Sequence, residues 1–388
     1  MAETHNLMDY LDWRGDLSFE ASPWNPVDGL IFALLSYQNL GEKAASDSGI
    51  RLCQMPESIL KRTFDKPLLL HTQEMLQKMN ATERFRHTQF YRQVNDVDPT
   101  RNIQFSAINC EVPHLGTVIA FRGTDGTVVG WKEDFMMSYE SPVPAQSAAL
   151  AYLTRTAQAT YGPLYLCGHS KGGNLAIYAA IHADPSIRER IAEIDSYDGP
   201  GLDDESITSE AYAELKPRIC ALIPQGSIVG QLMNYYPGYT VVHSTSLGGI
   251  SQHDGFSWQV LGTHFIEEPQ TTKTSQFMDK TVHEWLKVCS NAERQLFVET
   301  IFSLAEKNPD TADREDVNQN LQSVADSFRN IDPETRKTIL SLFGRLVSAG
   351  AKGYWESVVP RPITQVANDL LSRLQHKEEP KNEPRTDS

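Results

Sequence analysis

Leu164-Tyr165-Leu166-Cys167-Gly168-His169-Ser170-Lys171-Gly172-Gly173-Asn174 is the stretch on which the reading of this chain turns. Leu164 to Cys167 form a short apolar run with the length of a buried strand. Asn174 to Ala180, with Leu175, Ile177 and Tyr178 among alanines, have the pattern of a packed helix. Between them, Gly168-His169-Ser170-Lys171-Gly172 fits a nucleophile elbow, in which a sharp strand-to-helix turn holds a serine in strained backbone geometry and exposes its hydroxyl. The flanking glycines would let neighbouring backbone approach the turn. A tight crossover with no chemistry would use Gly168, Gly172 and Gly173 in the same way, so the pentapeptide needs partners elsewhere in the chain.

A second segment supplies one. Val118-Ile119-Ala120-Phe121-Arg122-Gly123-Thr124 is an apolar strand ending on glycine and a hydroxyl residue, followed by the polar turn Asp125-Gly126-Thr127 and then by Trp131 and Asp134. Acyl transfer needs donors aimed at the oxyanion of a tetrahedral intermediate, usually two backbone amides, one of them from the residue after the nucleophile. Lys171 is placed to give that amide, and Thr124, on the loop after an earlier strand, is the candidate for the other. The plainer reading makes Gly123 to Gly126 an ordinary turn, and in either case Arg122 is expected to pair with Asp134.

Phe121-Arg122-Gly123-Thr124 with Trp131 and Asp134, followed by Gly168-His169-Ser170-Lys171-Gly172-Gly173, resembles the pairing in class 3 lipases of the α/β-hydrolase superfamily. The chain is also similar to a bacterial family of uncharacterised lipase-like proteins. That second resemblance extends to Met8-Asp9-Tyr10-Leu11-Asp12-Trp13-Arg14-Gly15-Asp16, to Asp28 through Tyr37, and to Gln252-His253-Asp254 with Ser257-Trp258-Gln259-Val260. Together these cover roughly residues 1 to 290. They imply the fold and the nucleophile and say little about the substrate.

A serine nucleophile needs a base, and eleven histidines are available. His5 and His376 lie near the ends of the chain, and His71, His87 and His114 precede the oxyanion strand. His169 sits inside the elbow and His182 late in the helix after it. In α/β-hydrolases the order along the chain is nucleophile, acid, histidine, which leaves His243, His253, His264 and His283. His253 lies in Ser246-Leu247-Gly248-Gly249-Ile250-Ser251-Gln252-His253-Asp254-Gly255, a polar, glycine-rich loop after the last expected strands, from which a ring can swing toward the serine as a general base must. The other three fit structural roles better.

The acid is less clear. Class 3 lipases carry an aspartate in a segment resembling Ile223-Pro224-Gln225-Gly226-Ser227-Ile228-Val229, and this chain has Ser227 where the resemblance implies the carboxylate. Either the acid has moved or the site has a different third member. Asp198, at the end of the strand-like run from Ile191, is the leading candidate, although Asp198-Gly199-Pro200-Gly201 is also strong turn chemistry. Asp254 is a weaker one, since an immediate neighbour of the base rarely reaches its far nitrogen.

The expected fold is α/β: a mostly parallel, α/β-hydrolase-like sheet with helices on both faces, plus a helical C-terminal region. The 388 residues divide into a mostly helical N-terminal part of the hydrolase domain at 1–100, its core at 101–275, a helical accessory region at 276–375 and a disordered tail at 376–388. Within the accessory region the apolar periodicity predicts three helices, around Val282 to Leu286, Leu296 to Leu304 and Ile339 to Val347. The polar stretch from Glu267 to Ser275 reads as a boundary. A net charge of −15 argues against nucleic acid and anionic membrane surfaces as partners. Five scattered cysteines without CxxC spacing suggest neither a disulfide framework nor a zinc site, and no cofactor or metal is expected. No signal-peptide pattern opens the chain and no apolar run reaches membrane-span length, so a cytoplasmic setting without integral membrane association is expected. The leading function is a serine hydrolase acting on a carboxylic ester or thioester, of a lipid or another small acyl compound. The rivals are a non-catalytic α/β-hydrolase-like binding module and a peptidase or acyltransferase on the same fold.

Overall fold

The computed structural model describes residues 5–62, 69–233, 238–247 and 249–306, together with Pro333. Its centre is a nine-stranded sheet built from β1 (Ile50–Arg51), β2 (Gln89–Asp98), β3 (Ile103–Val112), β4 (Gly116–Phe121), β5 (Leu164–His169), β6 (Ile191–Tyr197), β7 (Ile219–Pro224) and β8 (Thr240–Val242). A two-stranded ribbon of β9 (Val260–Leu261) and β10 (His264–Phe265) follows, and then β11 (Glu267–Glu268), the ninth strand of the sheet. The spatial order is β1-β2-β3-β4-β5-β6-β7-β8-β11, with β4 through β8 parallel and both flanks antiparallel.

The strand order explains how the layers are filled. Parallel strands joined in sequential order by right-handed crossovers put every crossover helix on one face. The helices Pro144–Ala159 and Lys171–His182 lie there, packing Leu153, Leu175, Ile177 and Ala180 against Ile119, Phe121, Leu164, Leu166 and Ile194. The other face is closed by N-terminal chain: Leu30, Ile31 and Leu34 of helix Pro26–Leu35 belong to one core with Val118, Ala120, Cys167 and Tyr197. Successive β4 residues thus alternate between two cores, which is why a strand buried on both faces reads as an unbroken apolar run.

Helix Pro26–Leu35 is apolar almost all round, and its start is fixed by polar groups. Asn25 caps it, Pro26 occupies its first turn, and Asp28 accepts from the Asn25 amide at 3.2 Å. The Asp28 carboxylate is fully buried and bonded by Arg84 Nε at 2.8 Å, Arg84 Nη2 at 2.6 Å and the Tyr10 hydroxyl at 2.8 Å. Arg84 also donates to the carbonyls of Ser22 and Pro23, so one buried ion pair joins the helices and loops covering this face.

Chain packing separates two units, Met1–Asp279 and Lys280–Ser388. Two differences from the sequence reading stand out. Residues 1–100 contain, besides their helices, the edge strand β1 and the ten-residue β2, whose pattern QFYRQVNDVD is only half apolar because one side faces solvent. The polar stretch after Ile266 begins with β11, paired antiparallel to β8, before helix Lys273–Val288 starts. Helix Asn291–Glu306 follows; the expected third helix from Ile339 to Val347 and the tail at 376–388 lie outside the described residues. Among the described residues no helix is long and apolar enough to cross a membrane.

Candidate active site at the strand ends

Ser170 stands between β5 and helix Lys171–His182 with φ 58° and ψ −135°, a conformation an L-residue adopts only under constraint from its surroundings. The constraint is visible. The Ser170 amide donates to the Tyr197 carbonyl at 2.9 Å, continuing the β5–β6 ladder, and its own carbonyl accepts from the Gly173 amide at 2.9 Å. A Cβ on Gly172 would lie 2.1 Å from the Phe121 carbonyl oxygen, so the elbow packs on the end of β4 at a distance open to glycine alone. Lys171 is the first residue of the helix, where a backbone N–H has no intrahelical acceptor.

The oxyanion candidate Thr124 lies on the turn after β4. Its hydroxyl donates to Asp134 Oδ2, which directs the side chain toward helix Val128–Met136. The turn touches the elbow directly: a Cβ on Gly123 would fall 2.8 Å from Ser170 Cβ and 2.3 Å from the Tyr37 hydroxyl. Arg122 does not pair with Asp134 as the sequence reading expected. It reaches Asp125 Oδ2 at 3.2 Å and Asn95 Oδ1 at 2.9 Å, because the turn folds Asp125 back onto it. The cation beside Asp134 is Lys171, whose ammonium is 3.5 Å from Asp134 Oδ1 and 2.9 Å from Glu133 Oε2. Burial dominates at Asp134 and pushes its carboxyl up to about 6, against the attraction of Lys171.

Asp198 and His253, 55 residues apart in sequence, are joined at 2.6 Å through Asp198 Oδ2 and His253 Nδ1. A carboxylate at Nδ1 holds the proton there and leaves Nε2 as the acceptor. Asp198 extends the β6 ladder past its end, its amide donating to the Leu222 carbonyl at 2.8 Å. Its φ of 49° turns the carboxylate toward the base loop. Ser227, at the position where the sequence reading looked for a carboxylate, donates its hydroxyl to Asp198 Oδ1, as does the Gly230 amide at 3.0 Å. The segment around Ser227 thus hydrogen-bonds a carboxylate that follows the neighbouring strand.

The base loop is pinned from several sides. Gln252 accepts from the Gly226 amide at 2.6 Å and donates to the Ser246 carbonyl at 2.8 Å, while the buried Trp258 indole donates to the Gln252 carbonyl at 2.8 Å. Asp254 accepts from the Phe256 amide at 3.0 Å, the role of a turn cap. His243 pairs with Glu268 at 2.6 Å, a strand-end contact.

Sequence reasoning passed over two residues that adjoin His253 in the fold. His169 was set aside as part of the elbow, yet its ring lies 4.4 Å from the His253 ring between centroids. Tyr37, at the end of helix Pro26–Leu35, hydrogen-bonds His169 Nδ1 at 3.1 Å. Tyr37 and Arg122 also line a cleft of about 460 Å³ bordered by Gln38, Gln93, Asn95 and Ser106. That volume is within the range of small-molecule sites. For a metal, the described residues offer one group with donor atoms within 4.8 Å of one another, Glu193, Asp195 and Cys220. It lies within β6 and β7, and burial pushes all three groups up toward their protonated forms, which disfavours a cation.

Among solved structures, the crystal structure of M37 lipase aligns with 53% of this chain and 68% of its own, at 17% identity and a TM-score of 0.32. No curated protein matches the chain. A family model does, over residues 79–303, a span holding Thr124, Ser170, Lys171, Asp198 and His253. The chain belongs to the Mbeg1-like family.

Proposed function

We propose that this protein is a serine hydrolase that cleaves a carboxylic ester or thioester through an acyl-enzyme on Ser170. The observation that carries the reading is the 2.6 Å contact between Asp198 and His253 Nδ1; Gly199, next to Asp198, packs on the carbonyl of Ser170, a serine held at positive φ, and His253 packs on its neighbour His169. A turn-forming aspartate and a loop histidine have no need to meet, and a carboxylate aimed at Nδ1 is what fixes a histidine as a base.

The chemistry follows from the roles. His253 Nε2 takes the proton of Ser170 Oγ as the oxygen attacks the acyl carbon, and Asp198 stabilises the imidazolium. The carbonyl oxygen becomes an oxyanion facing the backbone amides of Lys171 and Thr124. Collapse breaks the bond to the leaving alkoxide or thiolate, which takes the proton from His253, and water repeats the sequence on the acyl-enzyme.

The rival binding-module reading drew its force from Ser227 at the expected acid position, and the hydrogen bond from Ser227 to Asp198 supports a relocated acid instead. A panel of p-nitrophenyl esters and acyl thioesters of increasing chain length tests the proposal. Turnover by the wild type that falls at least ~10³-fold in Ser170→Ala supports it. Well-folded wild type that turns over no member of the panel contradicts it.

A further inference from the structure

Three separate segments meet at the His169 ring, and the direction of each hydrogen bond there can be worked out from one fact. His169 Nε2 lies 2.7 Å from the His253 backbone carbonyl, and a carbonyl oxygen only accepts. The proton is therefore on Nε2. In a neutral ring Nδ1 then carries a lone pair, and its partner at 3.1 Å, the Tyr37 hydroxyl, must donate to it. The Tyr37 hydroxyl also packs on the oxyanion turn, where a Cβ on Gly123 would fall 2.3 Å from its oxygen. One directional chain runs from Tyr37 through the elbow to the loop of His253.

The surroundings favour the neutral ring. His169 is buried, and burial together with the adjacent His253 ring holds its pKa down to about 3. The groups facing it are Tyr37 from the first layer of helices, His253 from the base loop and, beyond that ring, Asp198. Arg122, Asp125 and Asp134 lie behind Tyr37, whose phenol burial keeps protonated. A second proton on His169 would put N–H against O–H at Tyr37 and a cation against the ring that must itself become cationic during turnover.

We propose that His169 is a positioning residue for the base: as the neutral Nε2–H tautomer it grips the His253 carbonyl and packs its ring against the His253 ring, while Tyr37, packed on the oxyanion turn at Gly123, donates to the same imidazole. The role rests on the hydrolase reading of Ser170 and His253; the tautomer does not. His253 is thereby held at both ends, with Asp198 fixing its side chain and His169 its backbone.

Two readouts test this. In protein carrying ¹⁵N-labelled histidine, the His169 imidazole, assigned with His169→Gln, is expected to show a protonated Nε2, an unprotonated Nδ1 and no titration from about pH 8 to pH 5. A proton on Nδ1, or titration near the usual histidine value of ~6.5, overturns the proposal. In ester hydrolysis, His169→Leu is expected to lower kcat by roughly 10- to 100-fold with KM changed less than about threefold, the signature of a misplaced catalytic group. Glutamine can donate from Nε2 and accept at Oε1, so His169→Gln is expected to recover kcat to within about fivefold of wild type. Tyr37→Phe, which removes one hydroxyl, is expected to lower kcat by about fivefold or more even if His169→Leu does not fold. Folded variants with wild-type kcat, or a loss confined to KM, overturn the role. A wild type that hydrolyses no ester refutes the hydrolase reading and this role with it, while the nitrogen spectrum still decides the hydrogen-bond chain.

Discussion

Lys171 follows Ser170, yet its side chain points away from solvent into a buried ion pair, and Lys171→Met measures what that pair does. Lys171 is 1% and Glu133 0% exposed at the side chain. The ammonium donates to Glu133 Oε2 at 2.9 Å and to the Gln104 carbonyl at 3.0 Å. Methionine keeps the length and apolar stem but leaves Glu133 as a buried carboxylate without its cation. Removing one partner of a buried pair costs about 3–5 kcal/mol. Glu133 still accepts from the Gln104 amide at 3.0 Å and the Ala145 amide at 2.6 Å, which places the expected loss near the lower end, about 3 kcal/mol. At about 2–4 °C per kcal/mol for a unit of this size, the first unfolding transition should fall by about 6–12 °C. Glu133→Gln should also destabilise, and the double variant should lose at least ~1 kcal/mol less than the sum, since the second change removes a charge already stranded by the first. Thermal unfolding followed by circular dichroism gives all four values. A Lys171→Met melt within about 2 °C of wild type, or strictly additive losses, would refute the buried-pair account.

Asp198→Asn should leave its amide oxygen with Ser227 and Gly230 and turn NH₂ toward His253 Nδ1, forcing the wrong tautomer; kcat should fall by about 10⁴-fold with little change in melting temperature, and a loss under tenfold would contradict the assignment. Asp134 has a native pKa of about 6 against an ordinary carboxyl near 3.8, so the native state binds the proton more tightly and loses stability as pH rises from about 4 to 6. Its side chain is 24% exposed, which limits the effect to about 1 kcal/mol. Asp134→Asn should therefore melt higher than wild type at pH 7.5 and equal to it below pH 4, and a gap that widens in acid would reverse the sign of the argument. Gly172→Ala drives a methyl toward the Phe121 carbonyl with 2.1 Å to accommodate it, and a loss of about 3 kcal/mol or failure to fold is expected; an unchanged melting temperature would mean the elbow does not pack on β4 as described.

What could be read from the sequence follows from how local the requirement is. The elbow and the β4 turn each need several special residues in a row, so Gly168 to Gly172 and Phe121 to Thr124 are visible in one line of text. The central strands are visible because burial on both faces leaves no polar alternation, as in Val118 to Phe121. The edge strands are not: β1 and β11 are two residues long, and β2 faces solvent along much of its length. Asp198 could be reached only through the order of strands, since nothing in Asp-Gly-Pro-Gly separates a turn former from a carboxylate aimed at a histidine. Ser227 misled in the opposite direction, because a hydrogen-bond donor to Asp198 looks in sequence like the loss of a carboxylate. The expected Arg122–Asp134 pair failed since Lys171, from a segment far along the chain, reaches Asp134 while the turn brings Asp125 to Arg122. Tyr37 and His169 carry no motif of their own, and their link to His253 exists only once helix Pro26–Leu35 is laid across the sheet.

The central claim is an activated serine at position 170. Incubating the folded wild type with an alkyl fluorophosphonate and mapping the adduct by peptide mass spectrometry tests it most directly, with Ser170→Ala and Asp198→Asn as companions. The account predicts a single adduct on the peptide containing Ser170, absent in Ser170→Ala and formed far more slowly in Asp198→Asn. A folded wild type that takes no adduct, or one modified at another residue with Ser170 untouched, would contradict it.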